Sequence, residues 1–404
     1  MHSKGTPSTK SPLQSRTLSF RKSAIGEMAR LADESGALDL SQGLPDFDPP
    51  GEVLEAAVEA IRGGDNQYTI PSGTLEFRRA IAGKYARHND LDVDPEAEVT
   101  VMCGVSEAML ATILALTQPD DEAIILEPWY ENYVPGCLMA GVKPRFVPLR
   151  EPDYVFDPDE LRAAFNDRTR LILVNTPHNP TGRVFTRDEL TVIADLCQAF
   201  DTMAVTDEIY EHILYKGHQH VSLASLDGME ERTVTIGGLS KTYSVTGWRI
   251  GWAVAAAPLS RLIRKVHDYI TVCAPAPPQA AGIAALALPD SYYAEMCAQF
   301  EARGEILLGA LRKSGLGYTE PEGAYYVMMD FRDVDWDQAA YSEPGWTRDR
   351  AFAEYMAREV GVAGVPGSSF YSDRSQGTSR IRLNFAKSEE KLREAATRLT
   401  RIGR

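Results

Sequence analysis

From residue 99 onward the chain alternates short apolar runs with helical patterns, and that rhythm constrains the fold more than any other feature. Residues 98–101 read as a strand, and a turn at Gly104 then opens an apolar helix over residues 106–116. Continuous apolar character marks further strands at residues 123–126, 144–147, 171–174, 204–206, 234–236 and 250–255. A helix is expected between two of them, over residues 130–140. Thr186 followed by Glu189 is a capping-box signature, which starts another helix running to about Phe200. Strands and helices in alternation imply right-handed crossovers and a largely parallel sheet, covered by helices on both faces.

Ligands of such sheets bind beyond the carboxyl ends of the strands. Three polar clusters fall at those ends: residues 175–182, residues 207–210, and Ser240 with Lys241. After about residue 300 the pattern changes. A helix over 301–314, an apolar stretch at 323–329, a helix near 351–359, a strand at 380–385 and a final helix make an α+β region. The segment near Leu40 is expected to join it. The expected organisation is therefore a flexible tail over 1–22, a joining segment over 23–47, a large α/β domain over 48–300 and a small α+β domain over 301–404.

A length of 404 residues suits two domains rather than one small core. The net charge of -15 argues against nucleic acid and against anionic membrane surfaces, both of which reward basic excess. Cys103, Cys137, Cys197, Cys273 and Cys297 are scattered without a Cys-x-x-Cys pair, which suits a reducing, cytoplasmic setting and offers no zinc site. His218 and His220 read as surface residues, and no metal site is expected. No apolar run has the length of a membrane span. Residues 1–22 are rich in Ser, Thr, Pro, Lys and Arg, and Glu27 is the first acid. They read as a disordered tail, with an organelle-targeting segment as the alternative.

Lys241 lies in Gly-Leu-Ser-Lys-Thr-Tyr-Ser-Val-Thr-Gly-Trp-Arg-Ile-Gly, directly after a buried strand and among small residues. Such a lysine can be desolvated into a nucleophilic amine, although alone it is equally a loop lysine. Asn-Thr-Pro-His-Asn-Pro-Thr-Gly at 175–182 is, alone, a well-made turn. Asp207-Glu208-Ile209-Tyr210, Arg249 and Arg382 are each, alone, ordinary surface charge or half of an ion pair. Their order and spacing as a set are not ordinary.

As a set, Asn-Pro-Thr-Gly, Asp-Glu-Ile-Tyr and Ser-Lys-Thr…Gly-Trp-Arg-Ile-Gly make the chain resemble the class I/II aminotransferases from about Leu40 to its end. Within that family the look is nearest the kynurenine, methionine and aspartate aminotransferase branch. The resemblance implies the fold type I architecture of enzymes that use pyridoxal 5'-phosphate (PLP), with a mainly parallel seven-stranded sheet in the large domain. It implies that Lys241 forms the internal aldimine with PLP and then moves a proton between the substrate Cα and the cofactor. Asp207 matches the carboxylate that pairs with the pyridine nitrogen, and Tyr210 and Asn179 the donors to the phenolic oxygen. Tyr130 matches the aromatic that stacks on the ring. Gly104, Val105 and Ser106 at a helix start, with Ser240 and Arg249, match the phosphate site. Tyr68 matches a tyrosine that reaches the phosphate from the neighbouring subunit, which implies a homodimer with shared sites. Arg382, with Asn179 and the backbone of Gly43, matches the grip on the substrate α-carboxylate.

Two departures stand out. Many relatives carry Ser or Thr three residues before the lysine, where this chain has Gly238, with Ser240 as a possible substitute. No counterpart is evident for the second arginine that some members use on acidic side chains, and the stretch 269–275 offers Val272 and Cys273 instead. The expected reaction is transfer of the amino group of an aromatic, aliphatic or sulfur-containing L-amino acid to a 2-oxo acid such as 2-oxoglutarate, by a ping-pong route. A lyase, cyclase or oxidase on the same scaffold is the alternative, because the pocket chooses which bond breaks. A PLP-sensing regulator is disfavoured, since the residues before Gly43 are too few for a DNA-binding domain.

Overall fold

The computed structural model describes residues 20–402, so positions 1–19 of the expected tail lie outside the described residues. Helix α1 (Ala24–Ser35) and strand β1 (Leu38–Asp39) come first, followed by α2 (Gly51–Gly63) and α3 (Leu75–His88). The alternating region then supplies β2 (Val99–Met102), α4 (Val105–Leu116), β3 (Glu122–Glu127), α5 (Tyr133–Ala140) and β4 (Lys143–Pro148). It continues with α6 (Pro158–Ala164), β5 (Thr169–Asn175), α7 (Arg187–Ala199), β6 (Met203–Asp207), β7 (Thr233–Gly238) and β8 (Gly251–Ala255).

These strands form one seven-stranded sheet in the order β2-β8-β7-β6-β5-β3-β4. All neighbouring pairs are parallel except those of β8, which runs antiparallel to both β7 and β2. The continuous apolar runs have a simple cause. Successive side chains point to opposite faces, and both faces are covered. Ile124, Ile172 and Val174 pack on one face with Leu190 and Ile193 of α7. Ile125, Leu171 and Leu173 pack on the other with Met109 and Ile113 of α4 and Cys137 of α5. Truncating Ile172 or Leu173 to alanine would cost about 2–5 kcal/mol through the cavity left behind. Thr186 and Glu189 make the reciprocal capping box at the start of α7 that their spacing predicts.

The chain leaves the sheet through α8 (Ala257–Thr271), α9 (Ala276–Leu286) and α10 (Asp290–Lys313). Helix α10 begins well before residue 301, where the sequence reading starts it, because Tyr293, Met296 and Phe300 already form a buried helical stripe. Strands β9 (Gly317–Tyr318) and β10 (Tyr326–Asp330), helices α11 (Gln338–Tyr341) and α12 (Arg348–Tyr355), and strands β11 (Val362–Ala363), β12 (Val365–Pro366) and β13 (Arg380–Asn384) follow, and α13 (Glu389–Leu399) is last. An antiparallel sheet runs β12-β13-β10-β9. Strand β1 pairs in parallel with β11, Leu38 opposite Val362, which ties the N-terminal segment to this part of the molecule. The shared core around Phe331, Phe352 and Leu383 extends to Tyr210, Tyr325 and Tyr326, and so abuts the ends of the large sheet.

Candidate active site

The parallel strands β5, β6 and β7 finish on the same edge, with Asn175 opposite Asp207 and Asp207 opposite Ile236. That register places Asn175, Asp207 and, just past β7, Ser240 and Lys241 around one cavity of about 270 Å³. Gly43, Val105, Ser106, Tyr130, Asn179, Tyr210 and Arg249 also line it. Ten of the residues singled out from sequence thus converge from distant parts of the chain.

Lys241 Nζ donates to the Gly43 carbonyl at 2.7 Å, an oxygen that also accepts from Tyr325 Oη at 3.0 Å. Enclosure, and secondarily the nearby Arg382 guanidinium, lower the Lys241 amine to about 8. Asp207 is buried, and burial pushes its carboxyl up to about 6. Tyr133 Oη donating to Oδ2 at 2.7 Å and the Ile209 N–H at 3.3 Å oppose that rise. The strand-end pair is therefore a lysine with an accessible neutral form beside an aspartate held ionised at neutral pH.

At the other end, Arg249 takes a left-handed backbone conformation (φ 56°) and uses Nη1 on the Thr246 carbonyl at 2.9 Å. Gly104 caps α4 at φ 84°, and a Cβ there would come within 2.6 Å of Arg249 Nη2, so only glycine permits the approach. The first N–H groups of α4 point out beside this guanidinium, which makes an anion-binding corner. Gly104 forms the corner from behind Arg249 and is not itself part of the cavity wall. Gly238, which replaces a hydroxyl residue of many relatives, has its own cause: a Cβ would lie 2.9 Å from the Ile250 carbonyl oxygen. The close β7–β8 pairing leaves no room for a side chain, whereas Ser240 lines the cavity.

Arg382, on β13, is fully buried behind the wall rather than in it. Nη1 donates to Asn179 Oδ1 at 2.8 Å and Nη2 to the Ser41 carbonyl at 2.6 Å, while Nε is buried with no partner. Its guanidinium carbon lies 4.5 Å from the centroid of the Tyr326 ring. Asn179 spends its Oδ1 on Arg382 and its backbone N–H on Asn175 Oδ1 at 2.8 Å, which leaves its amide N–H groups for an occupant. Tyr210 Oη shares a 2.8 Å hydrogen bond with Tyr326 Oη. An anion corner, a buried carboxylate, an amine and the Tyr130 ring are the four things that a flat heteroaromatic aldehyde phosphate needs. The orphaned Arg382 Nε adds a donor for a carboxylate. PLP fits this set.

Some expectations change. The helix after β3 begins at Tyr133, not Tyr130, so Tyr130 sits in a turn, ring edge to Tyr133 (centroids 5.7 Å apart). Tyr68 is 84% exposed and stays outside the cavity of its own chain. Val272 and Cys273 do not line it either. His218 is exposed, but His220 is not a surface residue: its side chain is 7% exposed and Nε2 lies 2.9 Å from Glu208 Oε2. Glu208, Glu211 and His220 come within 4.8 Å of one another, a grouping that the sequence spacing does not reveal. Buried Lys84 pairs with Glu211 and, against the rise that burial alone would cause, draws it down to about 2. An ammonium already supplies the counter-charge there.

Sequence reasoning also passes over Tyr133, Asn175 and Tyr326. Tyr133 and Asn175 stand in motifs singled out from the sequence, yet only the fold shows that each touches Asp207, Asn175 Nδ2 through the Asp207 carbonyl at 2.8 Å. No helix among the described residues is long and apolar enough to cross a membrane.

Comparison with known proteins identifies the family. Residues 35–399 match the family described as aminotransferase class I and II. The solved N-succinyldiaminopimelate aminotransferase of Mycobacterium tuberculosis superposes with a TM-score of 0.90 at 37% identity, covering 96% of this chain and 99% of that one. The methionine aminotransferase of Escherichia coli (strain K12) is 34% identical, over 98% of this chain and all of its own length (100%). A kynurenine–oxoglutarate transaminase of Dictyostelium discoideum is 33% identical over 96% of this chain and 95% of its own.

Proposed function

The chain belongs to the class I and II aminotransferases, enzymes that use PLP, and we propose that Lys241 is its catalytic base and the residue that carries the cofactor. The observation that carries this reading is a lysine amine lowered to about 8 beside a buried Asp207, in a cavity with Arg249 at one end. Bound PLP supplies an electrophilic carbon and a ring that accepts the electrons of the broken Cα–H bond. The chain supplies the rest. Arg249, Ser240 and the N–H groups of Val105 and Ser106 would hold the phosphate, with Gly104 allowing the approach. Asp207, kept ionised by Tyr133, would hold a proton on the ring nitrogen. Asn179 and Tyr210 would donate to the phenolic oxygen, and Tyr130 would lie against the ring.

Lys241, released from the Gly43 carbonyl, would take the proton from the substrate Cα and return it one carbon away. Arg382 would grip the α-carboxylate with Asn179 and the backbone of Gly43, and so align the Cα–H bond for removal. Because Ser41 now caps Arg382, residues 41–44 would shift as substrate enters.

On this reading residues 48–300 would carry the cofactor site, and residues 23–47 with 301–404 would supply the carboxylate grip, with α10 running across the boundary. The acceptor is a 2-oxo acid such as 2-oxoglutarate, used in a ping-pong cycle. The donor is an L-amino acid with a side chain that is apolar near Cα (aromatic, aliphatic or sulfur-containing), since among the described residues no arginine besides Arg249 lines the cavity. Relatives are named for kynurenine, methionine and N-succinyldiaminopimelate, which share only that near part.

A homodimer completes the site. Tyr68 and Tyr269 are 84% and 91% exposed, and their segments are joined by His267 Nε2 at 2.9 Å from the Pro71 carbonyl. This apolar patch suits a second copy, whose Tyr68 would reach the phosphate. Five free cysteines support a cytoplasmic setting.

The test is a single-turnover half-reaction of the PLP form with a panel of amino acids, followed by cofactor absorbance and mass spectrometry. Conversion to pyridoxamine phosphate with release of a 2-oxo acid is the expected result. Regenerated PLP with ammonia or an elimination product would overturn it in favour of a lyase or oxidase.

A further inference from the structure

Beyond the cofactor cavity lies a larger one of about 770 Å³. The two are neighbours: Glu131 lines both, and α1 passes from Ala24 in the outer wall to Ile25 in the inner one. Ser23 Oγ donates to Glu131 Oε1 at 2.7 Å and fastens the start of α1 to this shared wall. The lining of the outer cavity includes apolar Trp129, Val134, Leu138 and Phe146.

The lining is also basic. Arg21, Lys22, Arg30, Arg350 and Arg374 line it, against only Glu27 and Glu131. In a chain of net charge -15 that local excess does not reflect the average surface. Arg30 and Arg350 are occupied by Glu34 and Glu354, at 2.6 and 2.9 Å. Arg21 instead spends Nη1 and Nη2 on the carbonyls of Tyr371 and Ser372, at 2.8 and 2.9 Å. Among the described residues no carboxylate pairs with Arg21, Lys22 or Arg374. After burial, Arg374 is the main influence weakening the hold of Arg21 on its proton, and the Glu127 carboxylate opposes it. Two guanidinium groups turned on one cavity repel each other, and an anion between them removes that cost.

We propose that this outer cavity is a side-chain subsite for donors that are apolar near Cα and carry a carboxylate at the far end, with Arg21 and Arg374 as its counter-charge. The proposal rests on the aminotransferase reading and deepens it. It also accounts for an inner cavity without a second arginine: a short acidic side chain finds no partner there, and a long one reaches the outer cavity.

The test uses the holoenzyme with N6-succinyl-L-lysine and its neutral isostere N6-succinamoyl-L-lysine. The expected result is a preference of about tenfold in kcat/KM for the charged donor, the size of a part-exposed charge-assisted contact. That ratio should shrink with added salt and fall towards one in Arg21→Gln/Arg374→Gln. Arg374→Gln alone is the second variant, because Arg374 makes none of the backbone contacts of Arg21. A wild-type ratio near one, or a ratio unchanged in both variants, overturns the proposal. Calorimetric titration with the same two compounds separates it from its premise. If no amino acid of the half-reaction panel is turned over, the aminotransferase reading fails, and charge-selective binding lost in the variants still upholds the subsite. Equal binding of the two compounds overturns it.

Discussion

The inner and outer cavities adjoin at Glu131, yet they are built on different principles. Of the inner groups, Asp207 and Arg382 are buried, and Asp207, Arg382 and Lys241 are held by Tyr133, Asn179 and Gly43. The outer cavity is walled by α1, the turn before α5 and the loops flanking α12 and β12, and some of its charges are left unpaired. Groups that do chemistry need fixed geometry and a dry setting. Groups that select a donor can stand on exposed loops, which tolerate change. On the proposed reading, the contrast separates reaction type, set at the sheet ends, from substrate choice, set in the surrounding loops.

That division can be broken experimentally, and Lys241→Ala is the sharpest tool. We expect loss of at least about a thousandfold in kcat with every donor, as for removal of a base that acts in the transition state. A variant that keeps wild-type turnover with any donor would end the assignment. Arg382→Ala comes next. Loss of a charge-assisted contact to the α-carboxylate should cost about 2–5 kcal/mol in kcat/KM, equally for all donors because all share that group. A loss confined to one donor would move Arg382 to the side-chain end.

Tyr133→Phe should have the smallest effect. It removes a hydrogen bond to a charged group, worth about 1.5–3 kcal/mol, and raises the Asp207 carboxyl further. The sign follows from the titrating groups. Asp207 is the required anion above about 6, and Lys241 is a free amine above about 8. Covalent loading of the apoprotein, trapped by borohydride and read by mass spectrometry, should therefore rise from pH 6 towards 8. In Tyr133→Phe the acid limb should move to higher pH, while the limb due to Lys241 stays in place. An unmoved acid limb would mean that Tyr133 only packs.

Legibility from sequence follows the same division. Strand ends are readable because a buried strand declares itself by its apolar run, and the polar residue that ends it must then stand at the sheet edge. Asp207 and Lys241 are placed that way, and so is Asn175 at its strand end, though not its contact with Asp207. Tyr133 was not, because its role depends on the helix beginning at Tyr133 rather than Tyr130, and turn residues do not declare a boundary. His220 looked like surface because a polar loop sequence hides the pull of Glu208 beneath it. The outer cavity was invisible, since nothing local tells Arg21 that it will meet Tyr371.

The placement of β8 has a consequence for how the chain is made. Among the described residues β2 pairs with no strand but β8, and β8 comes last of the seven in sequence. During synthesis β3 to β7 can assemble as a parallel sheet while β2, already emerged, waits unpaired. Gly104 and Arg249, which flank these two strands, therefore meet only when the sheet closes. The anion-binding corner can thus be completed only late in folding, and an arriving cofactor would favour the chains that have completed it.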